Sequence, residues 1–321
     1  MELPALLRQA VDRALTGVTL NDLASAAAGL SQRYREEGRE GPANVASDRD
    51  ALAYLATRLP ATFAAVRASF AAIANARPAF APKSLLDIGA GPGTALWAAA
   101  DRWPEIADAL LVEASPIFRA CGERLAAGAP LPKMTWRATN VARESINSAP
   151  RDLVTIAYML NELPSQTRQD VLAQAWQATA DTLVIVEPGT PAGWQRILAA
   201  RRQLIEAGGY VIAPCAHAQS CPLAPPDWCH FAERVARSRL HRQAKSAEVP
   251  WEDEKFSYIA VSRTPAQNAA TARVIARPRK ASGRVTLKLC CADGSAAERL
   301  FSRRDGERYK RATRSDWGSS L

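Results

Sequence analysis

Residues Leu85 to Ala95 read LLDIGAGPGTA, and the reading of this stretch decides the fold. Two leucines, Asp87 and Ile88 form the end of a buried strand. Gly89, Gly91 and Gly93 follow in a G-x-G-x-G turn, and an alanine-rich run containing Trp97 then has the composition of a helix. Glycines at a strand-to-helix turn admit positive φ and leave no Cβ between the backbone and a ligand. The spacing differs from the G-x-G-x-x-G of the dinucleotide fingerprint. The next apolar run, Ala109 to Val112, stops at Glu113, an acid at the tip of the second strand, where α/β folds hold ribose hydroxyls. Strand, glycines, helix, strand and acid arrive in one order, which a structural glycine turn beside an unrelated surface glutamate does not require.

Outward from this stretch, residues 81–212 alternate strand and helix, the pattern of a parallel sheet covered on both faces. Strands are expected at 84–88, 109–113, 134–137, 152–158 and 182–187, with helices at 94–102, 116–126, 166–179 and 191–207. Ligands of such sheets lie beyond the carboxyl ends of the strands. That rule puts Asp87, Gly89, Ala90, Gly91, Gly93, Glu113, Thr139, Asn140, Ala157 to Asn161 and Glu187 to Gly189 on one rim. Of these, Asp87, Gly89, Ala90, Gly91, Gly93, Glu113, Asn140 and Asn161 are the expected cofactor-binding residues. Asn140 suits an adenine edge and equally suits a turn. The loop with Asp87 resembles the nucleotide loop of class I methyltransferases, and that resemblance implies S-adenosylmethionine as cofactor. The N/D-P-P-Y/F sequence of base-amino methyltransferases is replaced by YMLNELP, Tyr158 to Pro164. No catalytic residue is named by the sequence; Glu162 reads as a base or as the cap of the following helix.

Residues 1–80 are alanine-rich and helical in pattern, with a break at Gly38 to Pro42 and an interruption at Pro60. They are expected to form a helical cap without chemistry, in which Arg58 and Arg67 belong to an ordinary surface helix. The first twenty residues carry two acids beside two arginines and no apolar signal core, so they read as an amphipathic helix. No apolar run is long enough to span a bilayer, and a monomer in a bacterial cytoplasm is the expectation.

The chain has 321 residues and a net charge of +9, all of it in the last third. Residues 1–212 hold 21 basic and 21 acidic side chains, whereas 213–321 hold 20 and 11. A neutral body with a basic third points to a polyanion held by one face. The runs are RVARSRLHRQAK (234–245), with helical spacing, RVIARPRKASGR (273–284) and SRRDGERYKRATR (302–314). The last two flank strand-like VTLKL and ERLFS, so a small β appendage with basic loops is expected. Without helix-turn-helix or zinc-finger spacing, structured RNA fits this end better than duplex DNA; Tyr309 and Trp317 are able to stack on bases, with core packing the expected job of Trp317.

Residues 213–231, APCAHAQSCPLAPPDWCHF, carry three of the six cysteines as C-x5-C-x7-C. Flanking prolines put the thiols on an irregular loop. Disulfides suit a cytoplasmic protein poorly. Structural zinc prefers tighter knuckles, and an iron–sulfur cluster accepts such spacings and often has a Cys-Pro ligand pair, as at Cys221-Pro222. A fourth ligand would come from Cys290 or Cys291, with His217 and His230 as weaker donors. Cys121, inside an apolar helical run, reads as a small buried hydrophobe.

Taken together, LLDIGAGPGTALWAA, LNELPS, VIVEPGTPAG, the cysteine loop, EKFSY and the closing Y-x-x-A-x-x-x-x-WG resemble the ribosomal small-subunit methyltransferase-like family, over roughly residues 50 to 318. The resemblance implies a Rossmann-like class I methyltransferase domain with a 4Fe-4S cluster, acting on small-subunit ribosomal RNA or in small-subunit assembly. It implies Cys215, Cys221, Cys229 and Cys290 as ligands, with Cys291 the close alternative to the last. A non-catalytic RNA-binding assembly factor, and a small-molecule methyltransferase with a zinc-bound loop, are the competing readings. The expected organisation is a helical region (1–80), a cofactor-binding domain (81–212), a cysteine loop with a basic helix (213–253), and the last sheet strand with a basic β appendage (254–321).

Overall fold

A computed structural model describes residues 1–35 and 45–321. The expected break at Gly38 to Pro42 lies outside the described residues. Four helices open the chain: α1 (Ala5–Ala14), α2 (Leu20–Arg35), α3 (Asp48–Thr57) and α4 (Leu59–Ala76). Ser47 caps α3 by accepting from the Asp50 N–H. Pro60 sits at the first turn of α4, where its missing N–H costs nothing, so the proline separates two helices rather than kinking one.

The core alternates as expected: β1 (Ser84–Ile88), α5 (Thr94–Arg102), β2 (Asp108–Val112), α6 (Pro116–Ala126), β3 (Lys133–Arg137), β4 (Arg151–Ala157), α7 (Ser165–Gln177), β5 (Thr179–Pro188) and α8 (Pro191–Glu206). Three further strands, β6 (Tyr210–Ala213), β7 (Phe231–Ala236) and β8 (Trp251–Ser262), complete one sheet in the order β3-β2-β1-β4-β5-β8-β6, with β7 on β8. The first five strands are parallel; β8 runs antiparallel to β5, β6 and β7. Long β8 pairs with two short strands in succession along one edge: Ala260 to Ser262 face β6, and Trp251 to Phe256 face β7. The cysteine loop is what the chain does between those two pairings.

Side-chain alternation gives the sheet two apolar faces. Leu85, Ala109, Leu111, Leu153 and Val184 pack with α3, α4 and α5, whereas Leu86, Leu110, Val154, Ile156 and Ile185 pack with α7 and α8. The helical region therefore forms one layer of the domain. No described helix is long and apolar enough to cross a membrane.

The run 234–245 is not one basic helix. Its first residues extend β7, and only α9 (Arg239–Ala244) is helical. Pairing with the edge of β8 overrides the helical spacing, because a free strand edge satisfies backbone groups that a short isolated helix leaves open. Arg234 and Arg237 consequently bond Asp253 and Glu252 across the pair.

Beyond β8 lies the β appendage: β9 (Ala272–Val274), β10 (Arg279–Ala281), β11 (Arg284–Cys291), β12 (Ala296–Ser302) and α10 (Glu307–Arg314). Its antiparallel sheet runs β10-β11-β12, with β9 also on β11. A small core of Val274, Val285, Leu287, Leu289, Cys291 and Ala312 holds it together.

Candidate functional site

The glycine loop forms the floor of a cavity of about 140 Å³ at the carboxyl ends of β1, β2 and β4. Gly89, Gly91 and Gly93 adopt φ of +70°, +55° and +81°. A Cβ on Gly91 would meet nothing within 4 Å, so this position leaves open space above the backbone. A Cβ on Gly89 would stand 2.6 Å from Met159 Cγ, so the glycine is what lets the loop after β4 close in.

Gly89, Gly91, Glu113 and Asn140 line the cavity, as do Thr139, Ala157 and Tyr158. Asp87, Ala90, Gly93 and Asn161 do not; they stand behind the lining. Glu113 accepts from Gly91 N–H at 2.8 Å and Ser115 N–H at 2.7 Å, which fixes the loop to the tip of β2. Burial raises its carboxyl above the usual range. Asn140 lines the cavity while its Oδ1 accepts from Ala142 N–H at 3.0 Å, so the turn role and the lining role coincide. Asp87 is buried beneath the loop, with Oδ1 accepting from the Thr155 hydroxyl at 2.6 Å and Oδ2 without a partner. Desolvation raises its pKa to about 7.

Glu187, expected on the rim, is completely buried and positions the loop after β4 instead. It accepts from Leu160 N–H at 3.1 Å and from Arg196 Nε at 2.5 Å. Glu162 lines the cavity. Tyr158 holds a φ of +56°, uncommon for a side chain of its size, and its hydroxyl donates to Glu254 at 2.9 Å.

Sequence reasoning missed the cavity's remaining wall. Tyr54, Arg58 and Thr62 come from α3, α4 and the residue joining them, all inside the region expected to have no chemistry. Arg58 is half-buried against the cavity, while Arg67 pairs with Asp101. The available signal was the Pro60 break, which places Arg58 at a helix junction.

A second, small cavity lies between α8, the cysteine loop and the appendage. Cys215, Cys221, Cys229 and Cys290 all line it, together with His217, Arg201 and Arg273. Two chain segments distant in sequence, the cysteine loop and β11, thus bring the four expected thiols to one place. Cys291, next along β11, points to the opposite face and joins the appendage core, because successive strand side chains alternate. Cys121 is buried in α6.

The loop carrying these thiols is tied down at several points. Buried Arg201 donates to the carbonyls of His217 and Gln219, both at 2.8 Å. Arg273 donates to Pro214 O at 2.8 Å and Gly318 O at 2.9 Å. Trp228 Nε1 reaches Gly189 O at 3.0 Å, and its ring stacks on His230, which meets Trp317 edge-on. Lys288 of β11 pairs with Asp227 of the loop.

Burial, then the neighbouring thiols, push the Cys229 thiol well above its ordinary value and Cys290 up to about 12. Thiols so placed ionise only against a compensating cation. Cys290 Sγ and His217 Nε2 are 3.4 Å apart. Among the described residues no three His, Cys, Asp or Glu side chains are grouped to hold one metal ion. A single zinc ion would need thiolates about 4 Å apart around one centre, while a cluster takes each thiolate on its own iron. Four thiols around one apolar-walled cavity, with two buried guanidiniums to offset negative charge, fit a cluster by the chemistry of the donor set.

The sheet order, the glycine loop and the cavity above it define a protein of the class I methyltransferase fold. The model of a family described as mitochondrial small ribosomal subunit Rsm22 matches residues 48–321, and the chain belongs to that family. It is 32% identical over 291 residues to the human ribosome assembly protein METTL17, mitochondrial. The alignment covers 84% of this chain and 62% of the human protein, so the chain spans less than two thirds of that relative's length. Among solved structures, it is similar to a magnesium protoporphyrin IX methyltransferase from Synechocystis PCC 6803, with 12% identity and a TM-score of 0.42 over 78% of this chain and 100% of that one. A ribosomal protein L11 methylase from Lactobacillus delbrueckii subsp. bulgaricus gives 14% identity and a TM-score of 0.38, covering 62% and 78%.

Proposed function

We propose that this protein binds S-adenosylmethionine in the cavity above the glycine loop, carries a 4Fe-4S cluster on its cysteine loop, and acts on the small ribosomal subunit through its basic appendage. The single observation that carries this reading is the convergence of Cys215, Cys221, Cys229 and Cys290 on one cavity between the methyltransferase sheet and the appendage. In this reading Gly89, Gly91, Glu113 and Asn140 contact the cofactor. Asp87, Ala90, Gly93 and Asn161 shape the loops behind it. The cofactor supplies an activated methyl group when bound; Glu113, joined to the Gly91 and Ser115 N–H groups, offers its remaining lone pairs to ribose hydroxyls.

The cluster's part is structural. Its four ligands would join the loop between β6 and β7 to β11, holding the appendage at a set angle to the sheet. The family description, mitochondrial small ribosomal subunit, and the human relative's printed name, ribosome assembly protein, support the small subunit as partner, and the basic appendage suits its rRNA. That relative and the family description are both named mitochondrial, which departs from the bacterial setting expected from the sequence. The domain organisation we propose keeps the four sequence segments, with residues 1–80 contributing a wall to the cofactor cavity.

Two forms of this function differ in chemistry. Transfer of a methyl group to rRNA needs an acceptor site at the end of β4. A non-catalytic assembly factor needs the cofactor only as a stabilising ligand, and commitment of the Tyr158 hydroxyl to Glu254 favours it, because that side chain is then unavailable to an acceptor. The test is Gly91→Ala in cells whose own copy is deleted. Loss of a specific rRNA methyl group establishes transfer; defective subunit assembly with methylation intact establishes the non-catalytic form. Metal and acid-labile sulfide analysis of protein purified without oxygen tests the cluster: near four of each per chain supports it, and one zinc without sulfide overturns it in favour of a zinc-bound loop.

A further inference from the structure

The appendage has a second face, turned away from the cysteine cavity. Alternation along β11 sends Lys288 and Cys290 toward the loop and Val285, Leu287, Leu289 and Cys291 under α10. Arg299 of β12 sits in register with Leu287, on that outer face. Its Nη2 lies 3.6 Å from Cys291 Sγ. Arg308 and Arg311, three residues apart on α10, share one side of the helix. These three arginines converge on a cavity of about 360 Å³ between β11, β12 and α10.

Ion pairs neutralise part of the basic surface around this cavity. Arg277 pairs with Asp253, Arg279 with Glu298, Lys280 with Asp316, Lys288 with Asp227 and Lys310 with Glu307. Arg299, Arg308 and Arg311 are in no such pair within 4 Å among the described residues; Arg284, Arg303, Arg304 and Arg314 are not either, but only the first three line one cavity. Two acids feel these charges without closing an ion pair: Asp293, which also lines the cavity, accepts from the Ser295 N–H and hydroxyl and has its pKa lowered further by Arg299, and Asp305 accepts from those of Ser302 and has its pKa lowered further by Arg308, which leaves three arginines against one lining acid. Leu321 O, at the rim, is taken by the Thr271 N–H and hydroxyl. Three like charges around one concavity repel, and an anion placed among them relieves that repulsion.

We propose that this cavity is a phosphate-binding site that grips the backbone of small-subunit rRNA, an inference that rests on the ribosomal reading above. Guanidiniums match phosphate oxygens through paired N–H donors. The only aromatic ring in the lining is Phe301, which packs against the appendage core, so no ring there is presented to a base. The site reads backbone, not sequence. It lies one peptide unit from Cys290, so the strand that supplies a cluster ligand on one face presents the phosphate site on the other.

The test is binding of the full chain to its own small-subunit rRNA transcript and to a uridine 12-mer, across about 50 to 200 mM salt. The variants are R299Q/R308Q/R311Q, the milder R308Q/R311Q with both changes on exposed α10 positions, and the control R277Q/R279Q at and just before β10 of the same appendage. Each phosphate contact contributes about 0.7 to the slope of log affinity against log salt for single strands. Losing three flattens that slope by about 2, and the wild-type advantage shrinks roughly 20-fold over this salt range. R308Q/R311Q should lose about two thirds of that difference, and the control should retain both affinity and most of the slope. Inorganic phosphate, titrated separately, distinguishes the source of the anion. Phosphate binding that requires the three arginines, with rRNA binding untouched, overturns RNA as ligand. Equal losses in the control and R308Q/R311Q, which remove the same charge, would show net charge at work and overturn the cavity. Wild-type protein that binds no rRNA refutes the ribosomal reading itself; unaltered rRNA binding by both cavity variants refutes this site alone.

Discussion

Asp87→Asn is expected to make the cofactor-free protein more stable at alkaline pH, although it alters a residue beneath the glycine loop. Asp87 is buried, its Oδ2 lacks a partner, and desolvation lifts its pKa from the ordinary 3.8 to about 7. An acid with a raised folded-state pKa holds its proton in the native protein after the unfolded chain has released it. The native state therefore binds more protons between pH 4 and 7, and stability falls as pH rises through that window. At about 1.4 kcal/mol per unit, the full effect is about 4 kcal/mol above pH 7. Asparagine keeps the acceptor for Thr155 and removes the charge. Its amide NH2 replaces an equally unpartnered acid hydroxyl, so the two proteins should be alike only below about pH 4, where wild type is protonated in both states. Glu187, also lifted to about 7 by burial, titrates in both proteins and cancels from the comparison. Urea unfolding of wild type and variant at pH 5 and pH 8.5 reads the difference directly. The variant should be ahead of wild type by about 1.6 kcal/mol at pH 5 and by about 4 kcal/mol at pH 8.5, a widening of about 2.7 kcal/mol. A gain below about 1 kcal/mol, where surface electrostatics ordinarily lie, would refute the claim that burial makes this carboxylate costly. Retention of such a costly acid under a glycine loop is the kind of stability sacrifice that binding sites make.

Gly91→Ala separates binding from folding: its Cβ enters open space, so the cost to stability is about 1 to 2 kcal/mol from the left-handed backbone. Affinity for S-adenosylhomocysteine should fall at least roughly tenfold, about 1.4 kcal/mol; calorimetry showing unchanged affinity would place the cofactor elsewhere. Cys290→Ser and Cys229→Ser should lose iron while Cys291→Ser retains it, as measured by iron per chain. Equal loss from Cys290→Ser and Cys291→Ser would contradict the division of β11 into two faces. Arg201→Met removes two charge-assisted bonds to the cysteine loop, each worth about 1.5 to 3 kcal/mol. Iron release to a chelator should accelerate in that variant, and an unchanged release rate would show that the loop is held by other contacts.

The alternating core was legible because its signals are local. Apolar strands bounded by turns, three glycines after Asp87, and an acid after Val112 each constrain backbone or packing within a few residues, and β1, α5 and α6 fall where these signals put them. The cysteine loop was legible for a related reason: prolines and thiols on an irregular segment need something to hold them. Long-range pairing was not legible. Residues 234–236 carry helical spacing yet form a strand, since the edge of β8 is available only once the sheet exists.

By itself the amino-acid sequence determined the sheet, the glycine loop at its rim, and the thiols that share one irregular loop. Tertiary structure decided that Cys290 faces that loop and Cys291 does not, because one face of β11 meets the loop and the other is covered by α10. It also decided that Tyr54, Arg58 and Thr62 close the cofactor cavity, since a helix reveals its buried face but not what that face is buried against. Finally, it decided which basic residues keep their charge for a partner. Composition counts arginines, but only the folded chain brings Asp253 to Arg277 and Glu298 to Arg279 while leaving Arg299, Arg308 and Arg311 around one cavity. Neutralisation is a short-range effect between groups distant in sequence, and only the fold sets those distances.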